Sequence, residues 1–127
     1  MPTAIIERPG PLARLSEGEI EQHLRGFPDE AIQSAIGLRT DQSKQSIETF
    51  LIHLLMFYLP AGTQTPDEPP NGETRLRDEL GLDSLSMAEA MFKIEEVFDI
   101  RVEAAEIAEI TTLADARVVL AEKLSVD

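Results

Sequence analysis

The residues best suited to chemistry are Asp83-Ser84-Leu85, at the head of an amphipathic run that ends at Phe98. Glu79-Leu80-Gly81-Leu82 leads into them, and the glycine can take a positive φ there. After Ser84 the pattern turns helical, which puts Ser84 at or beside a helix N-cap. A serine in that place can accept an otherwise orphan backbone N–H, so capping alone is one reading of it. A helix N-terminus also carries partial positive charge and free N–H groups, so a phosphate attached to Ser84 would be well placed. Catalysis has little support. The histidines are His23 and His53, far off in sequence, and Gly81-Leu82-Asp83-Ser84-Leu85-Ser86 lacks the second glycine of a Gly-x-Ser-x-Gly nucleophile elbow. A serine without a base is a poor catalyst and an adequate attachment point, to be modified by another protein.

The elements that must position Ser84 read as helices throughout, and the fold class expected is all-α. Residues 1–14, with Pro2, Pro9, Gly10 and Pro11, show no period and read as a flexible or extended arm. Ser16-Glu17-Gly18-Glu19 matches a capping box, with Ile20 and Leu24 on one face, so a short helix is expected over about 16–25. Gly26-Phe27-Pro28 breaks it. Pro28 suits the first turn of a second short helix through Ile36, with Ile32, Ala35 and Ile36 as its stripe and Gly37 as its stop. From about Asp41 to Leu59 the spacing of Ile47, Leu51, Leu54, Leu55 and Tyr58 predicts a long helix, widened by Phe50 and Phe57 toward the N-terminal helices. Residues 60–75 form a long loop. Val102–Glu109 reads as a short helix with Glu103, Glu106 and Glu109 on a solvated face, at a spacing unlike that of a calcium loop. Thr111 or Thr112 caps a last helix that turns Leu113, Ala116, Leu120 and Leu124 to the core.

The helix from Ser84 to Phe98 carries two stripes where a one-sided helix needs one. Met87, Met91, Ile94 and Phe98, with Ala90 and Val97 beside them, form the first. Leu85, Ala88 and Phe92 form the second, flanked by Glu89 and Glu96. Two fates are open to the second stripe: burial beneath the N-terminal helices, or exposure as an apolar patch ringed by carboxylates, which suits transient docking.

Composition narrows the function classes. A chain of 127 residues that is 43% hydrophobic is one small domain with an appendage at most. Without cysteine it has no thiolate of its own. The apolar run from Leu51 to Leu59, interrupted by His53, is far short of the roughly 20 residues that span a bilayer, so no membrane insertion is expected. The start Met1-Pro2-Thr3-Ala4 lacks the basic head and apolar core of a signal peptide, which makes the cytoplasm the expected compartment. A net charge of −13 excludes the basic footprint that nucleic acid demands and disfavours anionic membrane surfaces. It favours basic patches on protein partners, through attraction that salt weakens. Residues 73–127, with 14 acidic and 6 basic side chains, form the more acidic half.

Taken together, Glu79-Leu80-Gly81, Asp83-Ser84-Leu85, Glu89, the run Glu95-Glu96-Val97-Phe98-Asp99-Ile100, Ile110-Thr111-Thr112 and Asp115-Ala116 resemble the acyl carrier proteins, over about residues 44–125. The resemblance implies a four-helix carrier bundle, one of its helices short, preceded by one or two short N-terminal helices. It divides the chain into an arm at 1–15, a helical extension at 16–40 and a carrier domain at 41–127. It implies that Ser84 carries a covalent 4′-phosphopantetheine arm drawn from coenzyme A by a phosphopantetheinyl transferase, with Asp83 beside it. It makes the Ser84–Phe98 helix the partner-recognition helix, so that Leu85, Ala88, Glu89, Phe92 and Glu96, with Asp83, would meet acyl-transferring and condensing enzymes through their basic patches. Met87, Met91 and Ile94 would line a space for the acyl chain, or serve only as core. The expected role is carriage of acyl thioesters for fatty acid, polyketide or related lipid biosynthesis, by a monomer that is a cosubstrate and not an enzyme.

Some residues depart from the family pattern. Ser86 stands where the family often has an acid, Lys93 puts a positive charge into the acidic face, and Ala88 and Ala90 beside Phe92 alter the patch. With the extension, these point to a specialised carrier with restricted partners. Two other classes remain: a structural or regulatory subunit of carrier-like fold with Ser84 unmodified, and a small hydrolase using Ser84.

Overall fold

The computed structural model describes residues 15–59 and 70–124, and the arm expected at 1–14 and most of the loop expected at 60–75 lie outside them. Among the described residues six helices follow one another: α1 Glu17–His23, α2 Asp29–Gly37, α3 Lys44–Phe57, α4 Ser84–Phe98, α5 Ala104–Ala108 and α6 Leu113–Leu124. The described part is all-α, as an acyl-carrier-like bundle requires. One isolated antiparallel bridge, Arg75 to Thr112, is its sole extended pairing.

Local chemistry explains where these helices begin and end. The Ser16 hydroxyl accepts the Glu19 N–H at 3.1 Å and Glu19 accepts the Ser16 N–H at 3.1 Å, the reciprocal box expected at the head of α1. Pro28 stands just outside α2 as its N-cap, not in its first turn. α2 ends at Gly37 as expected, though without a left-handed cap: the chain continues in right-handed turns, with Leu38 N–H bonded to the Ala35 carbonyl, Arg39 N–H to Ile36 and Asp41 N–H to Gly37. No positive φ is needed there. α3 starts after Asp41 because Asp41 braces the cap from outside, accepting the Ser43 N–H at 3.0 Å and the Ser46 hydroxyl at 2.7 Å. Ser43 then caps the helix by accepting the Ser46 N–H at 3.2 Å.

The core is continuous across the chain. Leu15, Ile20, Leu24, Ala35 and Leu38 from the N-terminal segment join one cluster with Ile47, Phe50, Leu51, Leu54 and Leu55 of α3, and with the inward stripes of α4 and α6. At its centre the fully buried Phe50 and Phe98 meet edge to face, their centroids 5.3 Å apart. The predicted inward residues of α6, Leu113, Ala116, Leu120 and Leu124, are all buried. α3 packs on both α2 and α6, and Arg117 of α6 reaches Glu48 of α3 at 3.0 Å. Phe57 faces the N-terminal helices, as its spacing predicts: it is 47% exposed and stacks on Phe27 at 4.1 Å. The extension and α3 thus share an aromatic edge.

Candidate functional site

The approach to Ser84 is a loop fastened at both ends. Leu76, Leu80 and Leu82 are buried, and Gly81 takes φ 87, the left-handed conformation expected of it. The loop folds on itself through Gly81 N–H to the Arg77 carbonyl at 3.1 Å and Leu82 N–H to the Leu76 carbonyl at 3.0 Å. Its earlier half is laced to the head of α6. Carbonyls of Thr74 and Gly72 accept the N–H groups of Leu113 and Ala114, which as first-turn donors have no partner within their own helix. Thr112, not Thr111, supplies the α6 cap: its hydroxyl accepts the Asp115 N–H at 3.2 Å, while Asp115 accepts both threonine N–H groups.

At the head of α4 the capping residue is Asp83. Its backbone is extended, and its carboxylate accepts the Ser86 N–H at 2.7 Å. The Ser86 N–H, and secondarily the Ser86 hydroxyl, hold the Asp83 carboxyl below the usual aspartate range. Ser84 is therefore the first helical residue, exposed, with its cap satisfied by a neighbour. A covalent substituent on its hydroxyl meets no packed side chain at that position, and points where the helix dipole favours negative charge. The arrangement fits a phosphodiester.

Neither histidine stands in the same element. His53 lies on α3 with its Nδ1 3.4 Å from the Ser34 hydroxyl, and His23 closes α1.

The two stripes of α4 separate as the helical period requires. Met87, Met91 and Ile94 are buried at 1%, 3% and 1% exposure. Leu85 and Phe92 are 68% and 63% exposed, and Ala88, Glu89 and Glu96 are exposed with them. Burial of the second stripe beneath the N-terminal helices is not what the structure shows. The extension takes the neighbouring flank instead. Lys93, expected within the acidic face, turns away from it: its ammonium donates to the His23 carbonyl at 3.2 Å and sits 6.0 Å from the Phe27 ring centroid. It keeps one link to that face, 3.6 Å to Glu96.

Tyr58 is a residue that helical spacing assigns to the core and that the structure puts at the edge of this surface. It is half-buried, and burial first, then the charges of Glu89 and Glu96, push its phenol above the ordinary value. Its position past the end of α3 gives no sequence signal of that proximity. Among the described residues no group of acidic or histidine side chains is arranged to hold a metal ion, and no helix is long and apolar enough to cross a membrane.

Comparison with protein families matches residues 63–116 to the family described as the phosphopantetheine attachment site. Comparison with curated proteins and with solved structures gives no match. Residues 63–116 are thus similar to a phosphopantetheine-attachment domain, the kind of carrier domain that takes a covalent 4′-phosphopantetheine, which is consistent with a member of the acyl carrier proteins.

Proposed function

We propose that this protein holds acyl intermediates as thioesters on an arm attached to Ser84 and presents them to partner enzymes of fatty acid, polyketide or related lipid biosynthesis. One observation carries the reading: Ser84 opens α4 as an exposed first-turn residue, capped by Asp83, inside the span matched as a phosphopantetheine attachment site. A separate transferase joins the Ser84 oxygen to the phosphorus of coenzyme A's pantetheine phosphate. The bond to the adenosine bisphosphate breaks, and the hydroxyl proton leaves to the transferase or solvent. The arm supplies the thiol that this cysteine-free chain lacks.

The chain's own residues do the rest. Asp83 holds the first turn of α4 in register and keeps Ser84 outward. Leu85, Ala88 and Phe92 offer apolar anchors, and Glu89 and Glu96 offer the charges that a basic docking patch reads. Met87, Met91 and Ile94 face the bundle interior, where an acyl chain could enter only as α4 parts from its neighbours, since these side chains are close-packed. On this reading 41–127 is the carrier domain and 16–40 a built-on extension.

The test is incubation of the apo chain with coenzyme A and a broad-specificity phosphopantetheinyl transferase, followed by intact mass, with Ser84→Ala alongside. The expected result is a gain of one phosphopantetheine in the parent and none in the variant. A folded parent chain that gains nothing from any transferase offered would refute carriage.

A further inference from the structure

At about 100° of rotation per residue, α4 presents Leu85, Glu89, Phe92 and Glu96 on its outer face, with Ser86, Ala90, Lys93 and Val97 on the adjoining flank. That flank is closed. Ser86 is 8% exposed, although serine is mostly a surface residue, and Ala90 and Val97 are fully buried. α1 packs against α4, and Lys93 is the polar link between them. His23 closes α1, and the carbonyls of a last helical turn lack partners within the helix and carry its negative pole. An ammonium group is a fitting cap for them. The Lys93 ammonium meets three attractions at once: the His23 carbonyl at 3.2 Å, the Phe27 ring at 6.0 Å and Glu96 at 3.6 Å. Its side chain is 23% exposed. Phe27 lies between α1 and α2 and is itself stacked on Phe57, so the hairpin is held from α3 as well as from α4.

We propose that the α1–α2 hairpin, latched to α4 by Lys93, is a partner-selectivity element that closes one flank of the recognition helix. The inference rests on the carrier reading above. Partners accepted are enzymes whose basic surface meets Leu85, Glu89, Phe92 and Glu96 from the open side. Enzymes whose docking site straddles α4 and needs the Ser86–Lys93 flank are refused by the bulk of α1 and by the lysine charge. Lys93 is a positioning residue: it acts through α1.

The test uses the full chain, loaded at Ser84 and checked by intact mass. The probe is malonyl transfer from malonyl-coenzyme A by a transacylase of general fatty acid synthesis. Variants are Lys93→Met, Phe27→Ala, Lys93→Arg, and Lys123→Met as a control for the same change of charge on α6. Amide hydrogen exchange of α1 is followed in each. The parent chain is expected to be a poor acceptor. Lys93→Met and Phe27→Ala are expected to speed exchange in α1 and to raise kcat/KM several-fold, while Lys93→Arg and Lys123→Met behave as the parent. An efficient parent, α1 exchange unaltered by either releasing variant, or faster exchange with kcat/KM unmoved would each overturn the proposal. An equal gain in Lys123→Met would do the same, by assigning the effect to net charge. Failure of the parent to load is a different failure, that of the carrier reading, and the latch then stands or falls on α1 exchange alone.

Discussion

The Asp83 carboxylate accepts the Ser86 backbone N–H at 2.7 Å, and Ser84 stands between them as the first residue of α4. The cap and the proposed attachment point are thus adjacent residues with separate tasks. Asp83→Ala is expected to fray the first turn of α4 and lower kcat/KM for loading at Ser84 several-fold. Global stability should fall by about 0.5–2 kcal/mol, the usual worth of a cap, and the chain should stay folded because the buried stripe of α4 is untouched. Loading kinetics beside a thermal melt check this; loss of the fold in place of loading would assign Asp83 a purely structural part.

Exposure of the second stripe makes a prediction of the opposite kind. Leu85→Ala and Phe92→Ala remove side chains that are 68% and 63% exposed. Surface changes of this sort stay within roughly ±0.5 kcal/mol in stability. Transfer from an accepting partner enzyme should nevertheless weaken, by an amount set by how central each anchor is to the contact. Unchanged kcat/KM for every such partner would remove this face from the docking surface.

Much of this arrangement is legible in the residues themselves. Ser16 with Glu19 announces the start of α1, the adjacent Thr111 and Thr112 announce that of α6 without deciding between them, and Gly81 announces the turn into α4. The two stripes of α4 follow from the helical period, but the exposure of the second does not, because the period leaves its burial beneath the N-terminal helices equally open. Other features are not local. Nothing near Lys93 signals the carbonyl of His23, a partner 70 positions away, so a charge that reads as part of the acidic face proves to be a tether. Phe57 widens α3 toward the N-terminal helices as its spacing predicts, but that its partner there is Phe27 has no local signal. Gly37 suits a stop and is the last residue of α2, yet the chain leaves it in right-handed turns where glycine has no advantage.

The Phe50–Phe98 contact joins α3 to α4 at the centre of the core, with both rings fully buried. Phe98→Ala deletes a whole ring from a close-packed site and is expected to cost about 3–5 kcal/mol. Domains of this kind have only about 5–15 kcal/mol in total, so the variant should melt far earlier. Phe98→Leu should cost much less, because most of the volume is kept. Urea melts of the three chains measure this. A loss in Phe98→Ala no greater than in Phe98→Leu would mean that neighbouring side chains collapse into the space.

Asp115 links the head of α6 to pH. The N–H groups of Thr111 and then Thr112 hold its carboxyl below the ordinary aspartate value of 3.8. A folded-state pKa below the unfolded one means that the unfolded chain binds the proton first as pH falls. The contribution of Asp115 is therefore fully present above about pH 4 and is lost as pH drops through the depressed folded value. Protonation also relieves repulsion in a chain of net charge −13, which works in the other direction, so the parent melt alone does not isolate the cap. The difference between parent and Asp115→Ala does. It is expected to be on the order of 1 kcal/mol at neutral pH, the net worth of the hydrogen bonds that the two threonine N–H groups donate, and to shrink on acidification well below pH 4. Part of it persists there, because Ala also lacks the hydrogen bonds that a neutral carboxyl retains. Denaturant melts of both chains at neutral and acid pH give this difference directly. A gap that holds constant across that range would show that the carboxylate charge contributes nothing to the cap.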